Sequence, residues 1–118
     1  MDAKRLEWLG SSYRDLLGMP EKVQRTFGYA LGFAQNGMPY DDAKTLKGLS
    51  PAVVELFEDD DGDTYRTLYT ARFESVVYVL HCFKKKSTSG RNLPKRDKAT
   101  LEARLAEVSR IETDRKRS

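Results

Sequence analysis

The chain has 118 residues, 39% hydrophobic and 33% charged, with a formal net charge of +3 at pH 7. This length suits a single domain over 1–118, and no apolar run approaches the ~20 residues that cross a bilayer, so no transmembrane helix is predicted. The charged N-terminus does not resemble a signal peptide, and one cysteine, Cys82, excludes an internal disulfide, so we expect a cytoplasmic protein with a buried Cys82.

The charge is unevenly distributed along the chain. Residues 84–118 carry 12 Lys and Arg against 5 Asp and Glu, whereas residues 1–83 carry 9 against 13. Such asymmetry indicates an acidic partner on the C-terminal side, for which nucleic acid is the commonest candidate. A solvated basic helix gives the same pattern, so charge alone leaves both interpretations open.

The N-terminal third predicts a short strand and two helices. Residues 4–9 alternate partly, as a strand does, and Ser11 and Ser12 are residue types that begin helices. Pro20 is a favourable first-turn residue for a second, longer helix, which Asn36-Gly37 ends. The apolar stripe of this helix consists of Val23, Phe27, Ala30, Leu31 and Ala34.

The middle of the chain predicts three antiparallel strands. Val53–Glu58 is the first, and the Asp-Gly pair within Asp59–Asp63 is a strong hairpin signal. This acidic turn lacks the distal glutamate of a calcium loop, so no metal is predicted there. Tyr65–Phe73 alternates with period two, and Val76–Lys84 is apolar on both faces, as expected of an interior strand.

A polar loop and Pro94 precede a last helix, which is basic overall. Residues 109–118 lose apolar content and are expected to fray. The order of elements predicts an α+β fold, in which N-terminal helices and a C-terminal basic helix accompany a small antiparallel sheet of about four strands. The apolar positions of the last helix are Ala99, Leu101, Leu105, Val108 and Ile111.

Two basic features of adjacent strands predict a phosphate site. Arg66 offers a rigid fork of donors, and the run Lys84, Lys85 and Lys86 supplies point charges at the end of the next strand. Together they would stabilise the charge of a phosphodiester during cleavage, and RNA brings its own nucleophile, the 2′-OH. A lysine whose pKa is lowered by neighbouring cations is a candidate general acid or base.

Other residues are candidates with two interpretations each. His81 is the only histidine, and one interpretation makes it a general acid or base. The other makes it a hydrogen-bonded core residue, since alternation places it among apolar residues of its strand. Tyr65 and Tyr69 either stack on bases or pack beneath a helix. Glu55 is of functional interest if it pairs with Arg66 or a lysine.

Several short motifs occur along the chain in an order and spacing typical of one protein family. They are Trp8–Ser12, Pro20–Val23, Lys44–Leu49, Val54–Leu56, Asp63–Tyr69, Val77–Lys86 and Pro94–Asp97. In this arrangement residues 4–110 resemble the phage-derived branch of the RelE/HigB toxin superfamily.

The resemblance implies a toxin of a type II toxin–antitoxin system with a microbial-ribonuclease-like fold. Such toxins cleave mRNA, commonly on the ribosome, without a metal or cofactor, and a helix-turn-helix antitoxin encoded beside them neutralises them. Arg66 matches the arginine that these toxins place at the scissile phosphate. Lys47 matches the basic residue of their Leu-x-Gly turn, and Lys84–Lys86 match the basic position after their last strand. No aromatic residue or histidine follows Phe83, so the resemblance assigns no proton donor.

Further cations complete the predicted RNA surface. The residues predicted to bind RNA are Lys44, Lys47, Arg72, Arg91, Lys95 and Arg96.

Two alternatives to the ribonuclease remain. One is a toxin of the same fold that inhibits DNA gyrase without catalysis, and the other is a phage nucleic-acid-binding protein.

Overall fold

The computed structural model describes residues 3–85 and 93–117. The elements confirm the α+β class, and β2, which has only two residues, is too short for the sequence pattern to have predicted it. The strands are β1 (Arg5–Trp8), β2 (Lys44–Thr45), β3 (Val54–Asp60), β4 (Asp63–Thr70) and β5 (Val76–Lys85), and the helices are α1 (Ser12–Leu17), α2 (Glu21–Gln35) and α3 (Lys95–Arg117).

The strands described here form one sheet in the order β1-β5-β4-β3-β2. β3, β4 and β5 pair antiparallel as predicted, but β1 lies parallel to β5, so the sheet is mixed at that edge. Between β1 and β5 the chain passes through two helices and a hairpin, and therefore no tight turn imposes the antiparallel direction. β5 is an interior strand, as its apolar character indicates.

The turn between β3 and β4 fixes the register of this hairpin. Asp61 and Gly62 have φ angles of 50° and 82°. Positive φ at both central residues is the geometry of the two-residue hairpin turn that matches strand twist. Asp60 therefore pairs with Asp63, and the register continues to Phe57 opposite Arg66.

Each face of the sheet carries its own core. α1 and α2 pack on one face, where Phe27 and Val77 are fully buried, and α3 packs on the other, where Leu68 and Val108 are fully buried. The five positions of the predicted α2 stripe are all buried. Because both faces are covered, β5 is apolar at consecutive positions over most of its length.

α3 continues through Arg117, although its composition predicts fraying from Ser109. Val108 is buried, Ile111 packs at the edge of the core, and the Tyr78 hydroxyl donates a hydrogen bond to Glu112. Burial and this bond raise the pKa of Tyr78 to about 12. The predicted core position Ala99 is exposed, because the helix presents Leu101 to the sheet instead.

None of the helices in the described part of the chain combines the length and apolar composition that crossing a membrane requires.

Candidate functional site

Arg66 lies on the face of the sheet that α3 covers, at the start of β4. Its register places it directly between Phe57 of β3 and Phe83 of β5. Directly opposite residues of antiparallel strands share a face, so the arginine lies in a row between two aromatic residues. Only 9% of Arg66 is exposed. The strand register therefore places the guanidinium-bearing side chain between two aromatic side chains, where little of it is exposed to solvent.

Glu55 of β3 is the ion-pair partner of Arg66. Nη1 of Arg66 donates to Oε2 of Glu55 over 2.9 Å, and both side chains are almost fully buried. Glu55 thus pairs with Arg66, which is the arrangement that makes this glutamate of functional interest. Within the described residues Nε of Arg66 is buried without a hydrogen-bond partner, which leaves a donor unsatisfied beside the paired one. This nitrogen is inaccessible to solvent, so an anion would contact Arg66 only through the 11% of the side chain that is exposed.

The lysine run does not converge on Arg66 as a unit. Lys85 pairs with Thr64 and shares the face of Arg66, whereas Lys84 pairs with Tyr65 and lies on the opposite face. There Lys84 forms an exposed ion pair with Asp63 at 3.2 Å. Successive residues of a strand point to opposite faces, which separates neighbouring lysines. Lys86 lies outside the described residues.

Lys85 joins a group of charges on the α3 face. Partial burial and the positive charge of Arg66 lower the pKa of Lys85, Lys44 lowers it further, and Glu55 opposes the change. Lys44 is directly opposite Glu55 in the β2–β3 pair, so it belongs to the same face. The group of Lys44, Glu55, Arg66 and Lys85 is called the cationic face below.

The other cations predicted to bind RNA lie apart from this group. Lys47 is exposed in the loop after β2, and Lys95 and Arg96 are exposed in the first turn of α3. Arg72 follows the end of β4, at the opposite end of the β4–β5 hairpin from Arg66. Arg91 lies outside the described residues.

His81 is hydrogen-bonded at both ring nitrogens. A bulge in β5 leaves Leu80 without a partner between Val79 and His81, so the strand alternation is reset and His81 lies on the α3 side. Nε2 of His81 is 2.7 Å from Oδ1 of Asp97, and Nδ1 is 3.3 Å from Nη1 of Arg104. Arg104 has only donors, so Nδ1 accepts and Nε2 donates to Asp97. This geometry supports the structural interpretation of His81.

Arg104 links α3 to both β5 and the start of α1. It donates to the carbonyl oxygen of Leu80 over 2.8 Å and to Oγ of Ser11 over 3.2 Å. Ser11 in turn donates to Asp15, so it bonds within α1 instead of capping the backbone. Gly10 has a φ of +53°, and a Cβ there would meet Arg104 at 2.7 Å. A glycine at this position is what lets the guanidinium approach.

An open cleft of about 790 Å³ lies beside the end of β5, between α1 and the start of α3. Met19, Tyr65, Cys82 and Phe83 form part of its wall. Burial raises the pKa of the Cys82 thiol to about 11, as expected of a structural cysteine. Tyr69 is a core residue beneath α2, whereas Tyr65 is accessible from the cleft.

Phe57 is a site residue that sequence reasoning missed. It is 45% exposed although it lies directly beside Arg66 on the cationic face. A half-exposed aromatic residue next to an arginine is suited to stacking on a base. The sequence could have predicted this position. The Asp-Gly turn fixes the hairpin register, and that register places Phe57 of the strand Val53–Glu58 opposite Arg66.

Among the described residues no group of three or more His, Cys, Asp or Glu side chains is arranged to hold a metal ion. The acidic hairpin has internal partners instead: Thr64 donates to Asp59 over 2.6 Å, and Asp63 pairs with Lys84.

The sequence model of one protein family matches residues 14–106, which is most of the chain, including all strands of the sheet except β1. The family is described as "Phage derived protein Gp49-like (DUF891)". No curated protein and no solved structure gives a significant match.

Proposed function

Because this chain belongs to the family of phage-derived Gp49-like proteins, we propose that it is the toxin of a type II toxin–antitoxin pair and acts as an endoribonuclease on mRNA. The observation that carries the proposal is the cationic face, where Arg66, Lys85 and Lys44 surround a single carboxylate, Glu55. The RelE/HigB-like motifs of the sequence support the same function.

The proposed reaction needs no nucleophile from the protein. The 2′-oxygen of the RNA attacks the adjacent phosphorus, a P–O2′ bond forms, and the P–O5′ bond breaks. The products are a 2′,3′-cyclic phosphate and a free 5′-hydroxyl. The added negative charge of the transition state falls on phosphate oxygens, so fixed cations lower the barrier without a metal.

Each member of the cationic face has a role in this proposal. Arg66 binds the scissile phosphate through the exposed part of its guanidinium, and Glu55 holds the guanidinium in place and accepts the proton of the 2′-OH. Lys85 donates a proton to the departing 5′-oxygen, which balances the proton taken by Glu55. Lys44 adds positive charge at the edge, and Phe57 stacks on a flanking base.

The proposed partners follow from the same surface. An exposed ribonuclease must be held inactive in the cell, and we propose that a helix-turn-helix antitoxin encoded beside the gene does so in the cytoplasm. Ribosome-bound mRNA is the proposed substrate, since the resemblance is to toxins that commonly act on the ribosome.

Controlled expression in a bacterial host tests the proposal. We expect growth arrest within a few generations, new mRNA 5′ ends bearing a free hydroxyl, and rescue by co-expression of the neighbouring helix-turn-helix gene. Growth arrest with intact mRNA and signs of DNA damage would indicate gyrase inhibition instead, and salt-sensitive RNA binding without any growth effect would indicate a nucleic-acid-binding protein.

The pH dependence of cleavage tests the role of Lys85. As a proton donor Lys85 must be charged, so cleavage is expected to fall as the pH rises through its pKa. Because that pKa is lowered from the ordinary value of 10.5, the fall begins at a lower pH than for an unperturbed lysine. Lys85→Met is expected to slow cleavage by about 10²–10⁴-fold.

The measurement is the cleavage rate of a short RNA against pH at constant ionic strength. Lys85→Arg retains the charge but does not release its proton in this range, so its profile is expected to lack the alkaline fall. Lys98→Met, an exposed lysine of α3, is the control. An unchanged alkaline fall in Lys85→Arg would exclude Lys85 as the donor.

A further inference from the structure

We propose that the cleft between α1 and the start of α3 binds one nucleotide of single-stranded RNA and prefers guanine. The inference rests on the proposed function, since it assigns the nucleotide next to the scissile phosphate a pocket of its own. The cleft extends beyond the cationic face: Lys84 and Tyr65 line it from the opposite face of the sheet from Arg66, whereas Phe83 lines it from the face of Arg66.

The size and wall of the cleft suit a nucleobase. Its volume of about 790 Å³ lies within the range of small-molecule sites. Tyr65 supplies aromatic surface and Met19 supplies polarizable apolar surface, while Phe83, whose ring stacks on His81 at 4.7 Å, forms the buried back of the cleft. RNA-binding proteins hold unstacked bases against aromatic side chains in this way, at about 1–3 kcal/mol per base.

Two carboxylates determine which base edge fits. Oδ1 of Asp97 accepts from His81, and Oδ2 of Asp15 accepts from Ser11. The remaining oxygen of each carboxylate has no hydrogen bond within the described residues, and both residues line the cleft. Carboxylate oxygens accept hydrogen bonds. A single carboxylate oxygen can accept from both N1–H and the 2-amino group of guanine, which lie side by side, whereas uracil presents one donor between two acceptors, so guanine is favoured.

Cations at the rim supply the phosphate contacts. Arg14 from α1 and Arg96 from α3 line the cleft and are exposed, and neither forms an ion pair with another described residue. Lys84 lies at the same rim, in an exposed pair with Asp63. Exposed arginines without partners are suited to bidentate contacts with a phosphate.

The end of the β4–β5 hairpin connects the cleft to the cationic face. Tyr65 and Lys84 form one directly opposite pair, and Arg66 and Phe83 form the next. Strand alternation places the first pair on one face of the sheet and the second pair on the other, with a rise of only about 3.3 Å between neighbouring residues, and the cleft is lined by Tyr65, Lys84 and Phe83. An RNA strand crossing this end would place a phosphate at Arg66 and an adjacent nucleotide in the cleft.

The test is nucleotide binding to the full chain by NMR titration and calorimetry, with 5′-GMP, 5′-AMP, 5′-CMP, 5′-UMP and ribose 5-phosphate as probes. We expect 5′-GMP to bind most tightly, with 5′-UMP and ribose 5-phosphate at least tenfold weaker, and to shift resonances of α1 and of the start of α3. Arg14→Ala and Arg96→Ala are each expected to weaken 5′-GMP binding about tenfold, a change of 1.4 kcal/mol.

Arg110→Ala, an arginine of α3 that is 73% exposed and lies away from the cleft, is the matched control and is expected to bind 5′-GMP as the wild type does. Equal binding of ribose 5-phosphate and 5′-GMP, or shifts confined to other surfaces, would overturn the proposal. The assay requires no cleavage. Binding of 5′-GMP in the cleft without ribonuclease activity would therefore contradict only the proposed function, and mRNA cleavage without 5′-GMP binding would contradict only the pocket.

Discussion

An Arg66→Met variant is expected to lose both growth arrest and mRNA cleavage, with the cleavage rate reduced by about 10²–10³-fold. Removal of a single preorganised donor to a transition-state oxyanion has an effect of this size. The same substitution leaves Glu55 buried without its partner, and breaking a buried ion pair in this way destabilises a fold by about 3–5 kcal/mol. Cleavage of a defined RNA and urea unfolding measure the two effects separately.

A double variant separates catalysis from stability. Glu55→Leu combined with Arg66→Met replaces the pair by apolar side chains of similar size, which is often neutral for stability. We expect the double variant to regain most of the free energy of unfolding that Arg66→Met loses, while remaining inactive. A stable double variant that still arrests growth would show that neither residue takes part in the reaction.

Arg104→Met is expected to lower the free energy of unfolding by about 2–4 kcal/mol without a direct effect on the chemistry. The substitution retains an apolar stem but removes donors to Leu80, His81 and Ser11. The carbonyl of Leu80 and Nδ1 of His81 are then left without this partner in a buried setting, and each such loss costs about 1–3 kcal/mol. Urea unfolding followed by circular dichroism measures the change.

Arg110→Met is the control for Arg104, because both arginines lie on α3 and Arg110 forms only an exposed ion pair with Glu107. Exposed pairs of this kind contribute little, so we expect a change of no more than about 0.5 kcal/mol. Equal stability of the two variants would show that Arg104 does not hold α3 and α1 to the sheet.

Much of the site could be predicted because it depends on local patterns. The period-two alternation of β4 predicts that Arg66 and Tyr65 lie on opposite faces of the sheet. The Asp61-Gly62 turn predicts the β3–β4 hairpin and fixes its register. The lysine run could be resolved only in part. Alternation sends Lys84 and Lys85 to different faces, but the pairing of β5 with β4, including the bulge at Leu80, determines which of the two shares the face of Arg66.

His81 shows where strict alternation fails. Counting along the strand places it with Val77 and Val79, which in fact pack beneath the N-terminal helices. The bulge at Leu80 shifts the register by one residue, and His81 comes to lie against α3. A bulge is fixed by pairing with the neighbouring strand, so a single strand does not reveal it.

The sequence by itself determined the class of fold, the order of the elements other than β2, and the burial of β5 on both faces. These follow from periodicity, turn residues and charge, which act over a few neighbouring positions. Only the tertiary structure decided that Glu55 pairs with Arg66, that Lys85 and not Lys84 shares their face, and that a cleft lies between α1 and α3. Those relations join residues far apart in the chain, and packing of the helices and strand register bring them together.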